Sequence, residues 1–300
     1  MAPSAEGTKR DETKKDIKRT CRPSLQKHKK PIDKKLINKL PRDIILMISK
    51  MHPLLVPPFT NKTLRRAVKD YVAGGDRKKR IVEKYGEISN WDVSKVTDMG
   101  RMFRNATAFN QPLNDWNVSN VTDMSDMFEE ASSFNQPLND WNVSNVTNMR
   151  GIFWDATAFN QPLNKWNVSN VTNMEEMFLG ASSFNQPLNK WNVSNVTNMS
   201  YMFHNANSFN QPLNTSGNKW NVSRVADMCN MFDGASLFNQ PLNKWNVSNV
   251  TRTSQMFDSA KSFNQPLNDW DVSNVVYMEF MFSDATSCNQ SLHAPWYHEE

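Results

Sequence analysis

One 25-residue unit, WNVSNVTNMxxMFxxAxxFNQPLNx, recurs eight times and constrains the fold of this chain more than any other feature. Each unit begins with tryptophan, at positions 91, 116, 141, 166, 191, 220, 245 and 270. The single longer spacing, from Trp191 to Trp220, contains the four extra residues 215–218. A period of 25 residues lies in the range of leucine-rich repeats, in which each unit buries its apolar face against a neighbour. The repeat therefore predicts an array of stacked coils.

Asparagine is unusually frequent: 38 of the 300 residues are Asn, and 35 of these lie after residue 90. Such an excess occurs either in disordered, aggregation-prone tracts or in regular arrays whose turns use Asn. Because the apolar positions stay in register through all eight units, the sequence favours the ordered array.

Hydrophobic periodicity divides each unit into a short strand, a short helix and an extended return. In LNDWNVS (113–119), Trp116 and Val118 alternate with polar residues, which is typical of a strand. In VTDMSDMFEEA (121–131), the apolar residues recur at i, i+3, i+4 and i+7, which indicates a helix, and Thr122 and Asp123 precede it where an N-cap belongs. Strands of identical units would pair in parallel about 4.8 Å apart. The sequence thus predicts an α/β fold, a leucine-rich-repeat-like solenoid of about eight 25-residue coils with a short parallel sheet.

The residues WNVSNVTNM, MF, A and FNQPLN resemble the repeats of the BspA-like leucine-rich-repeat family, in the branch common in mycoplasmas. The resemblance covers residues 88–292, and the segment from Phe59 to Met99 is similar to the usual lead-in to such arrays. It implies a right-handed α/β solenoid and a binding role, and many bacterial members are surface proteins that meet host or matrix partners. Here no secretory signal is visible and no run of 18 apolar residues occurs. We therefore expect an intracellular protein, cytoplasmic or nuclear, without a membrane-spanning segment.

Charge divides the chain near residue 90. Residues 1–90 hold 24 Lys and Arg against 10 Asp and Glu, whereas residues 91–300 hold 11 against 20. The basic start is interpreted as a solvated tail, as a weak nucleic-acid or nuclear-import contact, or as a segment that folds back on the acidic array. The predicted domains are a disordered basic tail (1–35), a helical N-terminal cap (36–87), the repeat solenoid (88–292) and a C-terminal tail (293–300).

Two apolar stripes precede the repeats. One predicts a helix that begins after Thr60 as N-cap, ends at Gly74 and Gly75, and has an apolar face formed by Leu64, Ala67, Val68, Tyr71 and Val72. The other, LINKLPRDIILMISKMHP from Leu36 to Pro53, resembles the opening of an F-box, a helical motif that docks onto a ubiquitin-ligase adaptor. Residues 36–58 are thus interpreted either as an F-box-like segment or as part of the cap.

Motifs for catalysis, cofactors and metals are lacking: GxGxxG, GxxxxGK[ST], HExxH and CxxC do not occur. The three cysteines, Cys21, Cys229 and Cys288, are odd in number and far apart, which fits a reducing compartment better than a disulfide framework. We therefore expect a protein that is not an enzyme and that needs no cofactor or metal.

The variable positions of the repeat are predicted to lie on the surface: those after the first Met, after the Met-Phe pair and immediately before Trp. The position before Trp forms a candidate partner-binding stripe of Asp115, Asp140, Lys165, Lys190, Lys219, Lys244 and Asp269. Lysines stacked about 4.8 Å apart repel one another unless solvent or a ligand offsets their charge. The stripe is interpreted either as random variation at a position that tolerates many residue types or as a binding site for an acidic partner.

These features favour a non-enzymatic protein–protein interaction scaffold, because a repeat array presents one long surface on which function can reside. Two alternatives stay open. The chain is a ubiquitin-ligase substrate adaptor if residues 36–58 dock onto a ligase adaptor, or a surface or adhesin protein like the bacterial members of the BspA-like family.

Overall fold

The computed structural model describes residues 56–213 and 220–298. Two helices come first, α1 at Asn61–Val72 and α2 at Gly75–Tyr85. A 3-10 turn at Ile88–Asn90 leads into the first repeat, and a short helix, α3 at Gln290–His293, lies near the end. The predicted basic tail, residues 36–55 of the F-box-like segment and the insertion at 215–218 lie outside the described residues.

The predicted helix before the repeats is confirmed as α1. Thr60 caps it, because the Thr60 hydroxyl accepts the Thr63 N–H while the Thr63 hydroxyl accepts the Thr60 N–H. The buried face consists of Leu64, Ala67, Val68 and Tyr71, which belong to the same core as the repeats. Val72 was predicted on this face, but its side chain is 39% exposed.

The predicted α/β solenoid with a parallel sheet is wrong. Between residues 91 and 289, the described residues form no helix and no extended strand. Their only β pairing consists of seven isolated parallel bridges, one between each pair of neighbouring coils, such as Asp98 with Asp123. Neighbouring coils therefore lie in register, but the backbone of each coil forms turns rather than strands.

The segment predicted as a helix is a pair of successive turns. Counting each Trp as position 1, the first turn spans positions 9–12, and in the second coil the Met127 N–H donates to the Met124 carbonyl at 3.2 Å. The third residue of this turn, Asp126, has φ 52°, and the turn at positions 13–16 repeats the pattern with Glu130 at φ 55°. A bond from residue i+3 to residue i with a left-handed residue at i+2 is typical of type II turns. Apolar spacings of three and four residues suit two such turns as well as a helix, so the periodicity alone does not distinguish the two.

These turns direct alternate N–H groups out of one coil and into the next. Positions 9, 11, 13 and 15 donate to the carbonyls of positions 8, 10, 12 and 14 of the following coil, as Phe128 does to Ile152 at 2.9 Å. Neither predicted N-cap residue caps a helix: the Thr122 hydroxyl donates to the Thr97 carbonyl of the preceding coil at 3.2 Å, and Asp123 accepts the Ser125 N–H at 2.7 Å within its own loop. Backbone groups that a helix would pair internally are thus paired between coils.

The segment predicted as a strand is also a turn. The Asn117 side-chain oxygen accepts the Ser119 N–H at 3.2 Å, and the Val121 N–H donates to the Val118 carbonyl at 2.9 Å. Asn side chains compete with a strand ladder by bonding their own backbone two residues on. Trp116 and Val118 are buried as predicted, but the chain around them bends.

Asparagine side chains join the coils. The amide of Asn145, at position 5, donates to the Ser119 carbonyl of the preceding coil at 2.7 Å. The side-chain oxygen of Asn135, at position 20, accepts both the Asn160 N–H and the Gln161 side-chain amide of the next coil, each at 3.0 Å. The Asn excess therefore reflects hydrogen bonds that recur along the array.

The core is built from rows of aromatic rings. The Phe153 ring centroid lies 4.0 Å from that of Phe159 in its own coil. It lies 5.8 Å from Phe128 in the preceding coil and 5.6 Å from Phe178 in the following one. Each coil thus covers the aromatic face that its neighbour cannot bury alone.

The tryptophan indoles form a second row of inter-coil bonds. Trp166 Nε1 donates at 2.8 Å to the carbonyl of Leu138, which lies 28 residues earlier, just before the preceding coil begins at Trp141. Trp296 makes the equivalent bond to Leu267 at 3.2 Å. Trp296 therefore takes the tryptophan place of a ninth layer. Trp245 departs from the row, since its Nε1 has no hydrogen-bond partner among the described residues.

Candidate interaction surface

Four positions in the paired turns carry side chains that differ from coil to coil. We call them the turn face: residues 100, 101, 104 and 105 of the first coil (positions 10, 11, 14 and 15) and their equivalents in the seven other coils. The apolar side chains at positions 12, 13 and 16 are buried in the core. The turn face holds ten Asp and Glu against three Arg. It is therefore the strongly acidic part of the array.

Ion pairs cross from coil to coil at the start of the turn face. Arg101 Nε lies 3.1 Å from an Asp126 carboxylate oxygen, and Arg104 Nη2 lies 2.8 Å from Glu129. From the following coil, Arg150 Nη1 lies 3.0 Å from the other Asp126 carboxylate oxygen. The Asp126 and Glu129 side chains are only 3% and 2% exposed. Removal of Arg104 would therefore leave the buried Glu129 without its ion-pair partner, whereas Asp126 has two arginine partners.

Glycine makes room for two turn-face carboxylates. A Cβ at Gly151 would lie 2.6 Å from Asp126 Oδ1, and a Cβ at Gly180 would overlap the Asp155 carboxylate. Both glycines have positive φ, 55° and 64°. The side chain that lies over each position thus leaves room only for glycine, and the positive φ, which other coils adopt with larger residues, also favours it.

Burial raises the pKa of three turn-face carboxyl groups. For Glu129 the effect of burial exceeds the opposing effect of Arg104, and for Glu176 it exceeds that of Arg150. Asp155 is also raised by burial, and it forms no ion pair within the described part of the chain. The arginines of the turn face therefore do not fully compensate its carboxylates.

An apolar and aromatic patch interrupts the charged turn face. Trp154, Leu179 and His204 occupy position 14 in three successive coils, and the exposed ring of Tyr201 packs edge-on against His204 at 5.8 Å. His204 Nδ1 lies 3.0 Å from an Asp233 carboxylate oxygen. We call Trp154, Leu179, Tyr201 and His204 the aromatic centre. Tyr and Trp surrounded by polar groups are typical of the centres of protein interfaces.

The predicted stripe before each Trp lies at the surface wherever it is described. Lys165 Nζ lies 2.7 Å from Asp140, and hydrogen bonds from Lys165 and Asn114 lower the pKa of that carboxyl group. One lysine is thus paired within the stripe itself. Lys219 lies outside the described residues. The other members are exposed: Asp115, Asp140, Lys165, Lys190, Lys244 and Asp269. Their role in binding stays a prediction.

The sequence indicated positions 10 and 14 as surface positions but missed the ion pairs between coils. Glu129 stands at position 14 and is nevertheless buried, because Arg104 of the preceding coil lies against it. The available signal was opposite charge at the repeat spacing, as in Arg101 with Asp126 and Arg104 with Glu129. Trp154 carried a second signal, as a tryptophan outside position 1.

The described residues contain neither a metal-binding cluster nor a membrane-spanning helix. In residues 56–213 and 220–298, no three His, Cys, Asp or Glu side chains are placed to share a metal ion. Within the same ranges, none of the helices has the length and apolar character needed to cross a membrane. Cys229 and Cys288 are free thiols, and burial raises the pKa of both.

A family model described as "Mycoplasma protein of unknown function, DUF285" matches the chain three times, over residues 78–178, 138–217 and 213–299. These matches extend over more than half of the chain and confirm a repeat family. They do not name the BspA-like leucine-rich-repeat family, so that finer assignment stays a prediction. No curated protein and no solved structure matches the sequence.

Proposed function

This chain belongs to the DUF285 family of repeat proteins of unknown function, and we propose that it is a non-enzymatic scaffold that binds a protein partner through its turn face. One observation carries the proposal: the aromatic centre, in which Tyr201 is exposed and Trp154, Leu179 and His204 are half-buried, lies within the acidic turn face. In repeat proteins the shared positions build the stack, and recognition resides in the positions that vary.

Trp154 supports the turn face over the stripe before each Trp. Eight of the ten tryptophans mark position 1 of a coil, and Trp154 is one of the two others. It lies half-buried at a position where five of the seven other coils carry Arg, Glu, Asp or Ser. A large aromatic side chain at the surface stabilises a complex through the area that a partner covers. The stripe, in contrast, consists of exposed Asp and Lys, which contribute little individually.

Affinity capture with two matched variants tests the proposal. In the turn-face variant, Trp154→Ser, Leu179→Ser and His204→Ser introduce a residue that the last coil already carries at position 14. In the stripe variant, Lys165→Gln, Lys190→Gln and Lys244→Gln remove three described lysines. Circular dichroism and melting temperature confirm that both variants fold. Proteins captured after cross-linking are then quantified by mass spectrometry.

We expect the turn-face variant to lose about tenfold or more of a partner that the stripe variant retains. Retention of every wild-type partner by the turn-face variant contradicts the proposal. Loss in the stripe variant alone would instead support the stripe as the binding site.

The F-box-like segment suggests a second function, as a ubiquitin-ligase substrate adaptor. The same capture experiment, repeated with a chain that lacks residues 36–58, tests it. Recovery of a ligase adaptor only when the segment is present supports this alternative, and equal recovery contradicts it. Surface biotinylation of intact cells tests the third alternative, a surface protein.

A further inference from the structure

The coil that begins at Trp270 has a free edge. In each of the seven preceding coils, the N–H groups of positions 9, 11, 13 and 15 donate to the following coil. The equivalent N–H groups, those of Met278, Phe280, Phe282 and Asp284, have no hydrogen-bond partner among the described residues. Four backbone donors thus lie along one edge in the arrangement that joins coils elsewhere. An unpaired edge of this kind favours association with another chain.

This edge is apolar where the inner coils are polar. Val276 stands at position 7, where six of the seven other coils have Thr, and Tyr277 stands at position 8, where the others have Asp, Asn or Arg. Val276, Tyr277 and Phe280 are 68%, 51% and 60% exposed. Val276 and Phe280 line a cavity of about 400 Å³ together with Trp296. Terminal repeats normally present a polar outer face, so this apolar edge indicates an interface.

The opposite end of the array offers backbone acceptors. Helix α1 covers the first coil only in part, since Arg65 donates to the Gly100 carbonyl at position 10. The carbonyls of Met102 and Arg104, at positions 12 and 14, accept no hydrogen bond within the described ranges. Inside the array these two positions accept the N–H groups of positions 13 and 15. Met102 and Arg104 are therefore matched to the free donors of the last coil.

Two clefts of about 370 and 280 Å³ open between α1 and the first coil. Both are lined by Val72 and Ala106, and the larger one is also lined by Lys69, Met102 and Arg104. The exposed Val72 side chain offers an apolar contact at this end. An apolar side chain from outside could thus lie beside the free carbonyls.

The two ends have opposite charge. Residues 60–85 hold nine Lys and Arg against three Asp and Glu, whereas residues 270–298 hold three Asp and Glu and no Lys or Arg. Opposite potentials accelerate encounter and fix the orientation of docking. The acidic, apolar edge therefore fits the basic, cleft-bearing end.

We propose that this protein associates with itself head to tail: the last-coil edge of one copy docks into the clefts beside α1 of a second copy. The Phe282 and Asp284 N–H groups donate to the Met102 and Arg104 carbonyls, and Phe280 enters the cleft beside Val72. Because the two surfaces differ, each docked pair leaves one last-coil edge and one cleft-bearing end free. Such contacts produce chains, or rings where the rotation closes.

Sedimentation and light scattering of the full chain over a range of protein concentrations test this proposal. We expect the mean mass to grow beyond a dimer with concentration and to fall at high salt, where charge attraction is screened. The edge variant combines Val276→Thr, Tyr277→Asn and Phe280→Asn, which introduce residues that inner coils carry at these positions. Asn also suits the φ of 55° at Phe280. The edge variant should raise the dissociation constant about tenfold or more. The matched control, Leu237→Ser, removes an exposed apolar side chain elsewhere and should leave association unchanged.

A charge exchange tests the orientation of the contact. Glu279→Lys on the edge and Lys69→Glu beside the cleft should each weaken association when present alone. An equal mixture of the two variants should restore it, because every contact then again joins opposite charges.

Three outcomes would overturn the proposal. The first is a monomer at all concentrations, and the second is undiminished association of the edge variant. The third is failure of the mixture of Glu279→Lys and Lys69→Glu to restore the association that each variant alone has lost. Growth that stops at a symmetric dimer would indicate edge-to-edge packing and would equally contradict the head-to-tail contact.

Discussion

Replacement of Gly180 by alanine distinguishes the paired turns from the helix that the apolar spacing predicts. In a helix interior, alanine is more stable than glycine by about 0.5–1 kcal/mol, so the substitution would stabilise a helical segment. In the structure Gly180 has φ 64°. A left-handed conformation costs an alanine about 1–2 kcal/mol. The two arrangements therefore predict opposite signs for the change in unfolding free energy.

The Asp155 carboxylate adds a second contribution. The new Cβ would overlap Asp155 Oδ1, while the nearest Asp155 backbone atom lies at 3.6 Å, so the carboxylate must move. Overpacking costs about 1–3 kcal/mol, and the lower end applies because the atom that moves is the end of a side chain. We expect Gly180→Ala to lower the free energy of unfolding by about 2–3 kcal/mol in total.

Urea unfolding followed by tryptophan fluorescence measures this change. Gly75→Ala is the matched control, because Gly75 has φ 53° and no heavy atom within 4 Å of the added Cβ. Gly75→Ala should lower the free energy of unfolding only by the cost of the left-handed conformation, about 1–2 kcal/mol. When Asp155 is replaced by Gly, the further substitution Gly180→Ala should likewise lower the free energy of unfolding only by the backbone contribution, because no carboxylate is left to overlap. A Gly180→Ala variant as stable as the wild type, or more stable, would refute the paired turns.

Four further substitutions test the packing, the inter-coil bonds and the buried charge by the same assay. Phe153→Ala should cost about 3–5 kcal/mol, and Phe282→Ala should cost less, because Phe153 stacks on Phe rings of both adjacent coils, whereas Phe282 stacks only on Phe257 and meets Tyr297 edge-on; equal losses would contradict the stacking. Asn145→Ala removes the bond to the Ser119 carbonyl and should cost about 1 kcal/mol, whereas no loss would mean that the bond contributes nothing. Burial raises the Glu129 pKa, so the folded protein binds this proton more tightly than the unfolded chain. Wild-type stability relative to Glu129→Gln should therefore fall as pH rises above the ordinary glutamate pKa, and a constant difference would contradict the raised pKa.

Local signals in the sequence were sufficient for α1 but not for the repeats. Thr60, the apolar stripe and the glycines after it specify that helix without help from distant residues. In the repeats, spacings of three and four residues do not separate a helix from two turns. The informative residues stood at positions 11 and 15, where nine of sixteen residues are Gly, Asn or Asp. These residues enter the left-handed region most readily and are poor helix formers.

The turn face depended on contacts that no single repeat contains. The exposure of Glu129 is set by Arg104, and the space over Gly180 is set by Asp155, each one coil earlier. Within one unit these positions read only as polar and variable. Comparison of side chains at the 25-residue spacing would have found the charge pairs, since opposite charges recur there. The aromatic centre would still have required the arrangement of three successive coils.

The inter-coil hydrogen bonds have a consequence for folding speed. Those between backbone groups join residues only 24 to 29 apart in sequence, wherever they lie in the array. The sequence separation of these contacts therefore does not grow when coils are added. Folding slows as that separation increases, so a longer array of this design need not fold more slowly on that account. Two adjacent coils that form anywhere can serve as the template for the next, and length can increase by whole coils without a new folding problem.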